Sequence, residues 1–202
     1  MAINTQLSHK SEDTREYIAK SATRLFSQQG FDGTSIRDIA DAAGVTKPVI
    51  YYYFENKEDM FVTLIREAYA FFFKKLSEIT SNPGDFMERL RETTNLYFKS
   101  FNDYEDTVRL MYYVAFAPQS TIPNVDIMAF EKEHFELLTA LFEAGINQGF
   151  IREGNIDQFI MHYLGSISVY MQTLMLDRNY VPDNFIDILL DHVLHGIGGN
   201  KE

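Results

Sequence analysis

Apolar residues recur at helical spacing along nearly the whole of this 202-residue chain, and that periodicity most constrains the fold. No stretch alternates apolar and polar residues for more than a few positions, as a half-buried strand would. After Ser11 an apolar stripe at i, i+4, i+7 and i+8 marks one helix face, formed by Ile18, Ala22, Leu25 and Phe26. The pattern therefore predicts an all-α protein of about nine helices and no sheet.

Glycines, prolines and capping residues divide this pattern into separate helices. Ser35 followed by Asp38 resembles a capping box, Gly44 stops the helix it starts, and Pro48 suits the first turn of the next one. The predicted helices are Ser11–Gln29, a second from Thr34 or Ser35 to Gly44, a third from Thr46 or Lys47, and then Lys57–Thr80, Asp85–Phe101, Asn102–Ala117, Val125–Gln148, Ile156–Arg178 and Asp183–Gly196.

Composition excludes several classes of protein. The chain has no cysteine, which excludes disulfides, thiolate metal ligands and cysteine catalysis. Residues 1–10 are polar, so we expect no signal peptide. The apolar stretches are too short, or too often interrupted by polar residues, to span a membrane. We therefore expect a soluble, cytoplasmic protein.

The net charge of −11 argues at first against a nucleic-acid partner. The charge is uneven, however: residues 1–60 carry seven Lys and Arg against nine Asp and Glu, and residues 61–202 carry eleven against twenty. The N-terminal part is thus nearly neutral without being basic. Any DNA binding must depend on a few cations placed on one face rather than on bulk charge.

Residues 35–54 predict a short helix, a glycine turn and a second short helix, a layout that suits DNA. A major groove about 12 Å wide admits one helix, while the preceding helix crosses the DNA backbone. Lys47 at the start of the second helix could reach a phosphate or a guanine edge. Tyr51, Tyr52 and Tyr53 are consecutive, so they point in different directions and at least one must be exposed.

These residues resemble a known family. The segment GFDGTSIRDIADAAGVTKPVIYYYFENKEDMF, Gly30–Phe61, is similar to the DNA-binding signature of TetR-family repressors, and AKSATRLFSQQ, Ala19–Gln29, is similar to that family's first helix. Residues 62–202 match only in length and helical character. The resemblance implies a helix-turn-helix DNA-binding domain over residues 1–56 and a helical-bundle domain for ligand binding and dimerisation over residues 57–202. It also implies a homodimer that reads a palindromic operator.

The resemblance carries the family's DNA contacts onto particular positions: Thr34, Ser35, Arg37, Thr46, Lys47, Pro48, Val49, Tyr51, Tyr52, Tyr53 and Lys57. Arg37 has an alternative role as the i,i+4 partner of Asp41. The backbone N–H of Lys57 lies at a helix N-terminus, where an anion can bind. Tyr53 stands where the family often has histidine. Pro48 and Val49 could touch a thymine methyl group or pack internally.

The second part of the chain is rich in aromatic residues, which suits a core and also a ligand pocket in the bundle interior. With few cations there, of which Arg109 is a candidate for burial, we expect a small apolar or aromatic ligand. The predicted pocket residues are Phe101, Tyr112, Phe116, Phe135, Tyr163 and Tyr170. The predicted dimer-interface residues, on the last two helices, are Gly165, Ser168, Gln172, Ile188, Leu189, His192 and Val193.

Three functions compete at this stage: a ligand-gated repressor, a DNA-binding regulator gated by a protein partner or not at all, and an all-α enzyme. No glycine-rich phosphate loop or nucleophile–base pairing supports an enzyme. His192 and His195 have the i,i+3 spacing of two metal ligands, but no third ligand is evident. We therefore expect a ligand-gated repressor without enzymatic activity, metal or cofactor.

Overall fold

The computed structural model describes the backbone of residues 2–195 and the side chains of residues 13–118 and 120–195. Within that part the chain forms nine α-helices, one 3-10 turn at Gln119–Thr121 and no strand, so the all-α prediction is confirmed. The helices are α1 Ala2–Gly33, α2 Ile36–Ala43, α3 Lys47–Tyr53, α4 Lys57–Thr80, α5 Phe86–Asp103, α6 Glu105–Phe116, α7 Ile127–Asn147, α8 Ile156–Leu176 and α9 Phe185–His195.

The helix ends differ from the predicted ones where the backbone leaves helical geometry. Helix α6 begins three residues later than predicted, because Tyr104 precedes it with φ −139° and ψ 49°. Helix α8 ends at Leu176 since Asp177 is extended, with φ −151°. Helix α1 begins at Ala2 rather than Ser11, and its regular part ends at Gly30, where φ is 72°. The predicted end of the last helix at Gly196 lies outside the described residues.

The chain divides into two compact units. The first runs as far as Ala70 and continues from Tyr104 to Ile127; the second comprises Phe71–Asp103 and the chain from Met128 onwards. Helix α4 therefore contributes to both units. The predicted domain boundary between residues 56 and 57 falls inside the first unit and stays a prediction.

The core of the first unit is built on the predicted stripe of α1. Ile18, Ala22 and Phe26 are completely buried, whereas Leu25 is half-buried. The Phe26 ring meets Phe61 of α4 edge-on at 5.0 Å between centroids, and Phe31 completes this aromatic cluster. Helix α6 packs along α1. These contacts join α1, α4 and α6 into one support for the short helices α2 and α3.

The second unit has its own core, in which α5, α8 and α9 pack together. Helix α7 joins them through aromatic contacts, with Phe142 lying 6.4 Å from Phe86 of α5 and 5.6 Å from Tyr163 of α8. All three side chains are fully or almost fully buried. No helix in the described part of the chain combines the length and apolar character that crossing a bilayer requires.

Gly44 gives a test of how the turn between α2 and α3 is made. Its φ of 67° lies in the left-handed region, and a Cβ there would meet no atom within 4 Å. We expect Gly44→Ala to lower the free energy of unfolding by about 1 kcal/mol through backbone strain alone. Gly84→Ala is the control, because Gly84 is equally open but has no positive φ. Chemical denaturation at fixed protein concentration measures both, and equal effects would contradict this account.

Candidate nucleic-acid interface

Helix α2 is defined by local hydrogen bonds at both ends. Its N-terminus has the predicted capping box: the Asp38 backbone N–H donates to Ser35 Oγ at 3.2 Å, and the Ser35 N–H donates to Asp38 Oδ2 at 3.1 Å. The Ser35 hydroxyl also donates to Asp38 Oδ2 at 2.6 Å, and this hydrogen bond, together with the one from the Ser35 N–H, lowers the pKa of Asp38. At the C-terminus, Gly44 reverses the chain and the Val45 N–H donates to the Ala40 carbonyl at 3.0 Å. The start of α3 is thus set by short-range interactions.

Helix α3 is anchored along one side only. Ile50 is completely buried and Phe54, the residue after the helix, is nearly so, while Val49 is half-buried. Ile50 and Phe54 therefore hold one side of α3 in the core of the first unit. Pro48 occupies the first turn as predicted. With its apolar side held in this way, the opposite side of α3 faces outward.

The outward side of α3 carries the predicted tyrosines. Tyr52 is 80% exposed and Tyr51 is 51% exposed, whereas Tyr53 is half-buried. The Tyr53 ring meets the Tyr52 ring edge-on at 4.9 Å between centroids, which limits the freedom of the more exposed ring. The prediction that at least one tyrosine is exposed is confirmed.

Lys47 lies on the same outward side. Its side chain is exposed, and we find no hydrogen bond or ion pair between its ammonium and the described part of the chain. Thr46 and Pro48 beside it are exposed as well. Arg37 on α2 is also exposed, and its Nε lies 3.8 Å from Asp41 Oδ2 in the i,i+4 pair that was the alternative for it. Such an exposed pair contributes little stability, so it leaves Arg37 available to a polyanion.

Thr34 and Lys57, also predicted as DNA contacts, are used inside the first unit. Thr34 is 1% exposed, and its Oγ1 donates to the Gly30 carbonyl at 2.9 Å. Lys57 Nζ donates to the carbonyls of Phe31 at 2.9 Å and Thr34 at 3.1 Å. The same ammonium lies 4.0 Å from the centroid of the Phe31 ring. It therefore closes the turn between α1 and α2.

The six predicted pocket residues are divided between the two units. In the second unit, Phe101 and Tyr163 are buried, and Phe135 and Tyr170 are half-buried. Tyr163 shares a hydrogen bond of 2.9 Å with Thr94, and burial raises its pKa. In the first unit, Tyr112 is half-buried, whereas Phe116 is 68% exposed.

A cavity that sequence reasoning missed lies in the second unit. It measures about 610 Å³, and its lining includes Phe150, Phe159, Val193, Arg152, His162 and His195. None of the predicted pocket residues lines it. The lining residues come from α7, α8, α9 and the loop between α7 and α8. The sequence singled out only Val193 and His195 among them, each for a different role, because the cavity is formed by residues that are distant along the chain.

The predicted dimer-interface positions differ in accessibility. Gly165, Gln172 and His192 are exposed, and Ser168, Ile188 and Val193 are half-buried. Leu189 is 1% exposed, so its side chain is already packed within its own unit. The structure adds three exposed apolar residues on α8 that the prediction omitted: Met161, Val169 and Leu176. Their spacing continues the helical stripe of Gly165.

The predicted cations and histidines of the second part are placed as follows. Arg109, expected as a buried cation, is partly exposed and pairs with Glu105 at 2.8 Å; the arginine that is buried is Arg89. His195 Nδ1 lies 3.0 Å from Asp191 Oδ1. Among the residues that the structure describes, no group of three or more His, Asp or Glu could hold a metal ion.

Comparison with known proteins identifies the helix-turn-helix. Residues 18–64 match the family model described as bacterial regulatory proteins, tetR family. The HTH-type transcriptional regulator AcrR of Shigella flexneri is 50% identical over 52 residues, which cover 26% of this chain and 24% of AcrR. The chain thus spans about a quarter of that relative. The HTH-type transcriptional repressor NicS of Pseudomonas putida is 26% identical over 149 residues, 71% of this chain and 68% of NicS.

The whole fold also has known counterparts. The regulator FadR of Bacillus subtilis, solved in complex with stearoyl-CoA, superposes with a TM-score of 0.75 at 21% identity, over 91% of this chain and all of FadR. The TetR-family regulator PfmR of Thermus thermophilus superposes with a TM-score of 0.71 at 21% identity, over 90% of this chain and 99% of PfmR. The architecture predicted from the sequence is therefore a known one.

The two N-caps of the motif allow a matched test. Ser35 accepts a side-chain hydrogen bond at the start of α2, whereas Thr46 at the start of α3 makes none. We expect Ser35→Ala to lower the free energy of unfolding by about 1 kcal/mol, and Thr46→Ala to change it by much less. Chemical denaturation followed by circular dichroism checks both. Equal destabilisation of the two variants would contradict the view that the side-chain hydrogen bond of Ser35 stabilises α2.

Proposed function

This chain belongs to the tetR family of bacterial regulatory proteins, and on that premise we propose that it is a DNA-binding transcriptional repressor whose operator affinity changes when a small, largely apolar ligand binds to its C-terminal helical part. The observation that supports DNA binding most directly is the outward side of α3. There an exposed Lys47 and the exposed Tyr51 and Tyr52 stand on a helix anchored only along its opposite side. A single helix fits the major groove in this way.

The proposed contacts fall into two groups by accessibility. Lys47, Pro48, Tyr51 and Tyr52 would reach base edges or phosphates from α3, with Thr46, Ser35 and Arg37 at the flanks. Tyrosine hydroxyls and helix N-termini suit phosphate oxygens. Thr34, Val49, Tyr53 and Lys57 would act mainly by holding α2 and α3, because they are buried, half-buried or engaged within the protein.

We propose that the regulator is a homodimer. Operators of helix-turn-helix dimers place half-sites about 34–36 Å apart, so one recognition helix per protomer needs a two-fold partner. Exposed apolar side chains on α8 support an interface there, since Leu176 is 89% exposed and Met161 and Val169 are more than half exposed. Gly165, with open space around it, would allow close approach of a second helix. His192 and Gln172 would lie among the polar contacts.

The ligand proposal rests on a structural neighbour and on the aromatic residues of the second unit. FadR of Bacillus subtilis shares the fold and was solved with stearoyl-CoA, a molecule with a long apolar chain. In this chain the aromatic residues of the second unit, Phe101, Phe135, Tyr163 and Tyr170, are suited to an apolar ligand of that kind. The dimer would exchange between an arrangement of its two helix-turn-helix domains that fits the operator and one that does not. A ligand that binds the second arrangement a hundredfold more tightly would shift that equilibrium by roughly 2.7 kcal/mol. Helix α4, which contributes to both units, offers a continuous connection for that shift.

Two substitutions test the proposed DNA face. We expect Lys47→Ala and Tyr52→Ala each to weaken operator binding roughly tenfold or more, because each removes one of few contacts on a protein without a basic arm. The duplex would be selected from a random library with the wild-type protein, and affinity measured by fluorescence anisotropy. Lys99→Ala, an exposed lysine of α5, is the control. Unchanged affinity in both variants, with unchanged circular dichroism, would refute this docking.

The salt dependence of binding separates the roles of the two lysines. A lysine that neutralises a phosphate contributes about 0.9 to the slope of log K against log salt concentration. We expect Lys47→Ala to reduce that slope by about this amount. Lys57→Met should leave the slope unchanged, yet weaken binding and lower the free energy of unfolding by about 1–2 kcal/mol, because the hydrogen bonds to Phe31 and Thr34 are lost. A Lys57 variant with wild-type stability and a reduced slope would instead identify a phosphate contact.

A further inference from the structure

Helix α5 carries a stripe of polar residues on a buried face. Arg89, Thr93 and Tyr97 are spaced i, i+4 and i+8, so they lie one above another along the helix. Arg89 is 8% exposed and Thr93 is 0% exposed, and Tyr97 is half-buried. Arginine is almost never fully buried unless it is paired, so this stripe needs an explanation that core packing does not give.

In the described part of the chain, no carboxylate forms an ion pair with Arg89. One terminal nitrogen donates to the Thr80 carbonyl at 3.1 Å, while the buried Nε has no acceptor in the described part of the chain. Asp85, at the start of the same helix, accepts a hydrogen bond from the Glu88 backbone. Glu131 on α7 is half-buried, and desolvation raises its pKa, the opposite of what an adjacent cation would cause. A guanidinium stays protonated in proteins, so its buried charge is only partly compensated.

Thr93 supplies a second unpaired group one turn further along. A threonine inside a helix commonly donates its hydroxyl to the carbonyl four residues earlier. The neighbouring Thr94 does so, with Oγ1 2.7 Å from the Leu90 carbonyl. Thr93 Oγ1 is buried and has no hydrogen-bond partner among the described residues. A buried hydroxyl without a partner is costly, and this one lies on the same face as the unpaired Nε of Arg89.

The remainder of the stripe is neutral and flanked by aromatic rings. Tyr97 and His134 of α7 share a hydrogen bond of 2.5 Å. Burial lowers the pKa of His134 to about 4, so its ring is uncharged at neutral pH. The Phe72 and Phe73 rings lie 6.0 and 5.7 Å from the His134 ring. These rings supply apolar surface beside the neutral pair of Tyr97 and His134.

We propose that Arg89 and Thr93 form an anion-binding subsite, which holds the acidic oxygen group, a carboxylate or a phosphate, of an otherwise apolar ligand. Nε of Arg89 and the hydroxyl of Thr93 donate to the anion, whose charge compensates the guanidinium. Charge-assisted hydrogen bonds of this kind are about twice as strong as neutral ones. The role of this ligand in controlling DNA binding rests on the proposed function. Anion binding by Arg89 and Thr93 does not, and it is tested separately.

The direct test compares an acid with its neutral analogue on the full-length protein. Isothermal titration with sodium decanoate and with decanol is carried out on wild type, Arg89→Met and Thr93→Val. Decanoate should bind wild type more tightly than decanol, lose roughly tenfold to a hundredfold in affinity in the Arg89 variant, and lose several-fold in the Thr93 variant. Decanol affinity should stay the same in all three. Arg91→Met is the matched control, because Arg91 is on the same helix but exposed and paired with Asp187.

Thermal denaturation gives a second readout that needs no organic ligand. Thr93→Val removes a buried hydroxyl without a partner among the described residues, so it should not melt below wild type in chloride, whereas Arg89→Met also loses the hydrogen bond to the Thr80 carbonyl and should melt somewhat lower. Inorganic phosphate should raise the melting temperature of wild type above that in chloride of equal ionic strength, and this increase should be lost in Arg89→Met, because ligands that bind the folded state stabilise it. A phosphate-dependent increase that persists in Arg89→Met, or that is absent from wild type, would mean that Arg89 only caps the last turn of α4, and would overturn the proposal.

Operator binding distinguishes this proposal from the repressor proposal. Without ligand, Arg89→Met should bind the selected operator as tightly as wild type does. If decanoate binds through Arg89 but leaves operator affinity unchanged, the subsite stands and the ligand response fails. If wild type binds decanoate no more tightly than decanol, and phosphate has no Arg89-dependent effect, the subsite fails while DNA binding is untouched.

Discussion

The ammonium group of Lys57 closes the turn on which the helix-turn-helix depends. It binds two carbonyls of the segment between α1 and α2 and lies over the Phe31 ring, which itself packs on Phe26 and Phe61. Because Lys57 is also the first residue of α4, one side chain joins the end of α1, the approach to α2 and the start of α4. The direction of α2, and through Gly44 that of α3, follows from this junction.

Much of this architecture could be predicted because it is determined locally. Ser35 and Asp38 are three residues apart, and Gly44 terminates its own helix, so a short window of sequence contains the whole interaction. The function of Lys57 could not be predicted in the same way, since its acceptors lie 26 and 23 residues earlier. Its position in the family signature predicts a DNA contact, which stays a prediction, and the folded chain uses its ammonium for hydrogen bonds within the first unit.

The burial of individual side chains also depends on residues far away in the sequence, so it was harder to predict than the helices. Arg89 and Arg109 are similar in sequence, because each lies in the first half of an amphipathic helix. The sequence predicted burial for Arg109. The structure places Arg109 beside Glu105 at the surface and encloses Arg89 between the end of α4 and its own helix. The same limit explains Leu189, which was expected at an interface and is in the core of its unit, and the three exposed apolar residues of α8 that were not expected.

Charge placement is the constraint that connects the two proposed sites. The chain is strongly acidic as a whole, so a cation that none of its many carboxylates pairs with is informative. Lys47 is exposed on the side of α3 that would meet DNA and makes no hydrogen bond or ion pair with the described residues, and Arg89 is buried with its charge only partly compensated. In the two proposals, a phosphodiester would meet Lys47 in the first unit and a small acid would meet Arg89 in the second. The proposed regulator would therefore bind two external anions through two cations, one in each compact unit.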